Sequence, residues 1–278
     1  MDIVFDYTGR VAVVTGAARG VGRCIVNAFA ESGASVVAVD REPDGLAETV
    51  APHGERVVAV TADISVPEDV EAIVSSGSNR FGRIDVCINN AAVAPKTSLL
   101  DERPEIWDAV YAVNCRGTFL MTQAVARQMI AEQHGGRIIN FSSGAAHKGA
   151  PGNATYASSR AAIESFTRVA AIELAPYDIL VNCVRPGLID TQPKPLPPTM
   201  ARSIGQRIPN LPMARPGRPE EVADLVLWLS SERASYTAAA TYSIDGGASV
   251  GGRAGGQVVD EDSRYAWVRE VAGDLGHP

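Results

Sequence analysis

The sequence predicts an α/β protein, a single doubly wound domain built on a mostly or fully parallel sheet of seven strands. Short apolar runs alternate with helical patterns along most of the chain, and that alternation marks a sheet covered by helices on both faces. The first run leads into Gly16, Gly20 and Gly22 and then into a helical stripe, the succession of strand, tight turn and helix that opens such domains. A chain of 278 residues with 46% hydrophobic content can bury one substantial core.

Residues 10–15 are mostly apolar, as a strand buried on both faces should be. Behind the glycines, Val21, Ile25 and Phe29 recur every fourth residue, and Gly33 stands where a helix C-cap is expected. Such a turn lets the backbone approach a pyrophosphate, and the helix N-terminus adds N–H donors and the positive end of its dipole. Residues 34–39 give a second strand ending at Asp40. Its spacing from Gly22 is that of an acidic residue that accepts hydrogen bonds from an adenosine ribose. The Asp40 charge repels a 2′-phosphate and favours NAD over NADP. Arg41 beside it and Arg19 inside the turn are cations able to pair with that phosphate, which keeps NADP open.

Residues 56–61 form the third strand, followed by Asp63 and Ile64. Pro67 then opens a helix at its first position, with Val70, Ile73 and Val74 on the buried stripe. Residues 84–89 are the fourth strand and run into Asn90 and Ala91. A long helical stretch from 105 to 129 carries Val110, Val113, Gly117, Leu120 and Met121 on one face, interrupted by Asn114. An amide there is costly unless hydrogen-bonded. Residues 136–141 deliver Ser142 and Ser143 to the C-terminal end of a fifth strand, where open α/β sheets bind ligands. Residues 179–184 are the sixth strand and 241–245 the last, with an amphipathic helix from Pro219 between them.

The domain is expected to span residues 1–252. Seven prolines between Pro193 and Pro216 exclude a long helix and predict a substrate lid over 192–216. Its Leu196, Met200, Ile204, Leu211 and Met213 suggest an apolar wall. Residues 253–278 form a tail whose one dense apolar cluster, around Trp267, is expected to dock.

A net charge of −7 argues against nucleic acid or an anionic membrane as partner. The chain carries no apolar run of membrane-spanning length and no basic leader, so a cytoplasmic protein is expected. Cys24, Cys87, Cys115 and Cys183 lack CxxC spacing and lie in apolar segments, which predicts buried, reduced thiols. The scattered histidines show no HExxH pattern, and no metal is expected.

The chemistry concentrates in Ser143, Tyr156 and Arg160. Tyr156 and Arg160 are four apart and share one face of a helix. A free phenol, with a pKa of about 10, is a poor base at neutral pH. A unit charge about 4 Å away at an effective dielectric of about 20 contributes roughly 4 kcal/mol, nearly three pKa units.

In this order the residues resemble the short-chain dehydrogenase/reductases, whose fold is of the Rossmann type. Residues 15–22 look like their TGxxxGxG turn and 89–92 like their NNAG motif; Asn114 with Gly117, then Ser143, Tyr156 to Arg160, and Pro186-Gly187 with Thr191 continue the pattern over residues 8–250. Ala92 and Ala239 replace common glycines, and Arg160 replaces a lysine. The resemblance implies an oxidoreductase that moves hydride between NAD(H) and a secondary alcohol or ketone, and the apolar lid residues point to a small, largely apolar substrate. Tyr156 would be the general acid/base, Ser143 would hold the substrate oxygen, and Asn114 would bend its helix and hold a relay water. Tyr156 and Arg160 would also meet the cofactor ribose, while Pro186, Gly187, Ile189 and Thr191 would line the nicotinamide. A homotetramer or homodimer would pack through the helices after Arg103 and Tyr156. Arg160 keeps the charge but has no lone pair with which to pass a proton onward. Two other readings stay open: a nucleotide-binding regulatory or scaffolding protein with an impaired site, and an isomerase or dehydratase on the same fold.

Overall fold

In the computed structural model the described residues are 4–191, 205 and 208–251. The tail expected over 253–278 and the lid residues 192–204 and 206–207 lie outside them.

Seven strands form one parallel sheet: β1 (Val11–Thr15), β2 (Ser35–Asp40), β3 (Val57–Thr61), β4 (Val86–Asn89), β5 (Gly136–Phe141), β6 (Ile179–Pro186) and β7 (Thr241–Ile244). Their spatial order is β3-β2-β1-β4-β5-β6-β7, every pairing is parallel, and the order reverses between β1 and β4. Such a reversal opens a crevice at the C-terminal ends of the strands. The helices are α1 (Gly20–Glu31), α2 (Pro43–Val50), α3 (Pro67–Phe81), α4 (Pro104–Tyr111), α5 (Thr118–Glu132), α6 (Ala154–Leu174) and α7 (Pro219–Ser230). The sequence reading does not single out α2, which is short; the interruption expected at Asn114 falls in the segment between α4 and α5.

Alternation along the strands sends side chains to opposite faces, and two cores result. Val14, Val36, Ile88, Ile139 and Val184 pack with Phe29 of α1 and Val226 of α7. Val13, Val37, Cys87, Ile138 and Val181 pack with Ile73 of α3 and Met121 and Met129 of α5. A fully buried side chain such as Phe29 contributes about 2–3 kcal/mol of transfer free energy. α3 begins with Pro67, Glu68 and Asp69 and ends at Gly82 with φ of 80°, so proline, acidic first turn and left-handed glycine stand where helix energetics places them.

β4 starts two residues later than expected. Asp85 ahead of it is buried, and its carboxylate accepts hydrogen bonds from the Val11 N–H, Arg10 and Arg83. The expectation that all four thiols are buried is corrected: Cys87 and Cys183 are, but Cys24 and Cys115 are only partly covered, and all four are free. No helix among the described residues is long and apolar enough to cross a membrane.

Candidate active site

The turn after β1 is shaped by what glycine leaves out. Gly16 and Gly20 have φ of 71° and 58°, where a side chain is strained. A Cβ on Gly22 would stand 1.9 Å from the Gly16 carbonyl oxygen, and one on Gly16 would stand 2.8 Å from the Ala91 Cα. The turn is braced from β4, whose following residue Asn90 donates from Nδ2 to the Thr15 and Gly16 carbonyls at 2.9 and 3.2 Å. Asp40, at the end of β2, accepts from the Ala18 N–H at 2.9 Å and from the Glu42 N–H at 3.1 Å.

Both arginines expected near a phosphate meet carboxylates. Arg19 pairs with Glu42 at 3.0 Å on the surface, and exposed Arg41 with half-buried Asp63 at 3.2 Å. Burial works to raise the Asp63 carboxyl, but hydrogen bonds from Ser65 and Arg41 outweigh it and hold the group below its ordinary range.

A cavity of about 1260 Å³ lies over this turn. Of the expected cofactor residues, Gly16, Arg19, Gly20, Val21, Gly22, Asp40, Arg41, Asp63, Ile64, Asn90, Ala91 and Thr191 line it. Thr191, far along the chain, arrives because β6 ends at the same crevice; a Cβ on Gly20 would come within 3.3 Å of its side chain. Tyr156, Arg160, Pro186, Gly187 and Ile189 are not on its wall. Gly187 instead donates to the Ile244 carbonyl, and Ile189 bridges to Gly217.

The second group of residues gathers at the ends of β5 and β6 and on the first turns of α6. Ser143 follows β5, and its Oγ accepts from the Ala145 N–H at 3.2 Å. Arg160, only 3% exposed, donates from one terminal guanidinium nitrogen to the Phe141 carbonyl at 2.7 Å. Its guanidinium carbon lies 5.2 Å from the centre of the Tyr156 ring. Arg160 Nε is buried without a hydrogen-bond partner. Burial alone would raise the Tyr156 phenol, but the Arg160 charge, with polar contacts from Ser143 and Arg160, brings it below its ordinary value of 10.0. Hydroxyl, phenol and cation are therefore together, with the cation over the ring and anchored to β5.

Asn114 is fully buried in a π-helical segment, Ala112–Gly117, that joins α4 to α5. Its side chain pairs with both backbone groups of Val93, at 2.9 and 3.0 Å, and donates to Ser159 Oγ at 3.1 Å. The amide is satisfied, and it ties the helical bulge to the loop after β4. The Thr118 hydroxyl donates to the Asn114 carbonyl at 2.8 Å.

One cluster escaped the sequence reading. Glu164, one turn beyond Arg160, accepts two hydrogen bonds from Arg185 of β6, at 2.7 and 2.6 Å, and one from the Ser142 hydroxyl at 2.6 Å. Both charged residues are 8% exposed. The signal was present: an arginine in an otherwise apolar strand and a glutamate on the buried side of a helix each require a partner. Among the described residues no group of histidine, cysteine and acidic side chains is arranged to hold a metal ion.

The sequence model of the family described as Enoyl-(Acyl carrier protein) reductase matches residues 16–249. The 3-oxoacyl-[acyl-carrier-protein] reductase FabG of Thermotoga maritima is 39% identical over 86% of this chain and 97% of its own. An NAD-dependent glycerol dehydrogenase of Listeria innocua is 38% identical over 87% and 95%. Among solved structures, a 3-ketoacyl-(acyl-carrier-protein) reductase from Brucella melitensis complexed with NADH superposes with a TM-score of 0.80 at 32% identity, covering 88% of this chain and 100% of that one. The chain matches these relatives in sequence and in fold over most of its length, and it belongs to the short-chain dehydrogenase/reductase family.

Proposed function

We propose that this protein is an NAD(H)-dependent oxidoreductase acting on a secondary alcohol or ketone, with Tyr156 as its general acid/base. The observation that carries the reading is the Tyr156 phenol, held below its ordinary value beside the Ser143 hydroxyl and the buried Arg160 charge. The residues over the first turn fit a dinucleotide, since Gly16 and Gly22 let the turn pack tightly on itself and on Ala91 while lining the cavity with bare backbone. NAD(H), when bound, accepts or supplies the hydride. Asp40 disfavours a 2′-phosphate, and the pairing of Arg19 and Arg41 with carboxylates supports the same preference.

In oxidation the Tyr156 phenolate takes the alcohol proton; in reduction the phenol returns it to the developing alkoxide. Ser143 Oγ is the donor for the substrate oxygen and stabilises charge growing there. Arg160 supplies a permanent positive charge that favours the phenolate. Asn114 holds the α4–α5 bulge and the Val93 loop beside α6, which gives that wall of the site a rigid support.

The substrate is a small, largely apolar molecule in this reading. Exposed Trp107, Phe119, Val169 and Ile172 on α4, α5 and α6 support self-association into a homodimer or homotetramer. The free thiols suit a reducing, cytoplasmic setting. The test is the near-ultraviolet absorbance of reduced nicotinamide with a panel of secondary alcohols and ketones. NADH binding with no turnover across a broad panel would instead make the chain a nucleotide-binding protein with a silent site.

A further inference from the structure

Beneath Ser143 and Tyr156 a buried polar chain runs from β7 through β6 and α6 to β5. It starts at Ser243 of β7, whose hydroxyl accepts from Arg185 at 3.1 Å. Arg185 grips Glu164 of α6 with two hydrogen bonds, at 2.7 and 2.6 Å. The Ser142 hydroxyl at the end of β5 is shared between the Glu164 carboxylate, at 2.6 Å, and the Arg160 carbonyl, at 3.2 Å. The Arg160 guanidinium returns to β5 through the Phe141 carbonyl at 2.7 Å. Tyr156, Arg160 and Glu164 are each four residues apart on α6 and so form one stripe, which these contacts fasten to three strand ends.

Each member meets a structural demand, yet stability alone does not call for this arrangement. A buried ion pair is on average no more stabilising than apolar side chains of the same volume. What a bidentate fork adds is direction, because both its distance and its plane are set. Arg185 also immediately precedes Pro186 and Gly187, the backbone that the family resemblance puts on the nicotinamide side. The fork therefore couples the helix bearing the phenol to the strand leading to the hydride.

We propose that Glu164 and Arg185, with Ser142, are positioning residues that set the height of α6 on the strand ends and thereby hold the Tyr156 phenol against the Arg160 charge. The proposal rests on the reading of Tyr156 as the acid/base. The charged and titratable groups facing the cluster are Arg160 on α6, Arg185 and Cys183 on β6, Asp245 just after β7, and His147 on the loop after β5, which acts on Glu164 through its field.

The test follows the ultraviolet absorbance of the Tyr156 phenolate against pH, with Tyr156→Phe in the same background as the blank, so that no substrate is needed. The double variant Glu164→Leu/Arg185→Met replaces the fork by apolar side chains. We expect it to unfold cooperatively at a temperature near that of the parent, while the Tyr156 midpoint rises by about 0.7 pH unit, the change produced when a unit charge recedes from about 5 to about 7 Å at an effective dielectric of about 20. A folded double variant with the parent's midpoint overturns the proposal and leaves the catalytic reading standing. A parent protein whose Tyr156 titrates at the ordinary phenol value overturns both. Should the double variant fail to fold, Ser142→Ala keeps the fork and removes only the tie to β5; a smaller rise of the same sign supports the proposal, and none refutes it.

Discussion

The Arg160 guanidinium lies over the Tyr156 ring, 5.2 Å from its centre, while the Phe141 carbonyl anchors it from behind. The cation is therefore a fixed charge beside the phenol. That charge opposes the burial of the phenol and favours its phenolate form. Removing it in Arg160→Met leaves the burial that raises the phenol opposed by the Ser143 hydrogen bond alone. The Tyr156 midpoint should then rise above its ordinary value, and turnover at neutral pH should fall roughly 100-fold with the pH–rate profile displaced upward. Arg160→Lys keeps the charge and should stay within about tenfold of the parent in rate. Phenolate titration and pH–rate profiles of the two variants check this.

Cofactor choice is predicted to follow the carboxylates at the end of β2. Asp40→Ser with Glu42→Gln removes the repelling charge and frees Arg19 from its pairing. The ratio of NADH to NADPH dissociation constants, read from nucleotide fluorescence, should move toward NADPH by about tenfold, or ~1.4 kcal/mol.

Gly22→Ala tests the turn itself. The added methyl would lie 1.9 Å from the Gly16 carbonyl oxygen, so the backbone must move. A loss of about 1–3 kcal/mol is expected in denaturant unfolding, together with loss of dinucleotide affinity. A Cβ on Gly149 would meet nothing within 4 Å, and Gly149→Ala should change stability by less than about 0.5 kcal/mol.

Acid should weaken the protein through Glu164. Burial pushes its carboxyl up, but the hydrogen bonds from Arg185 and Ser142 and the Arg185 charge prevail and hold it below its ordinary 4.5. A depressed carboxyl contributes stability that is fully present above its unfolded value and is lost as pH falls through the folded one. Urea midpoints should therefore decline below about pH 4.5, and Glu164→Gln, with no proton to bind, should show a shallower decline over that range.

The seven strands and the helix after the glycine turn were legible because strand and helix periods differ and because glycines punctuate them. Tyr156 and Arg160 were legible as neighbours because four residues make a helical turn. Where the cation points was not, since that depends on the Phe141 carbonyl, which only the fold brings near. That Arg19 and Arg41 each stand beside a carboxylate, Glu42 and Asp63, was not legible, because α2 and the loop after β3 bring those groups near only in the fold. The Glu164–Arg185 fork joins a helix to a strand across a tertiary contact that no local period encodes. The expected lid and tail fall mostly outside the described residues.

The reversal of strand order has a consequence in time. β1 pairs with β2 and with β4, Val14 standing beside both Ala38 and Ile88. During synthesis β1, β2 and β3 can assemble first, leaving one edge of β1 open until the fourth strand emerges. Closing that edge requires ordering the intervening chain before the contact rewards it. The crevice over the glycine turn thus waits for β4, and a nascent chain lacking that strand carries an unpaired β1 edge that β4 covers in the finished sheet.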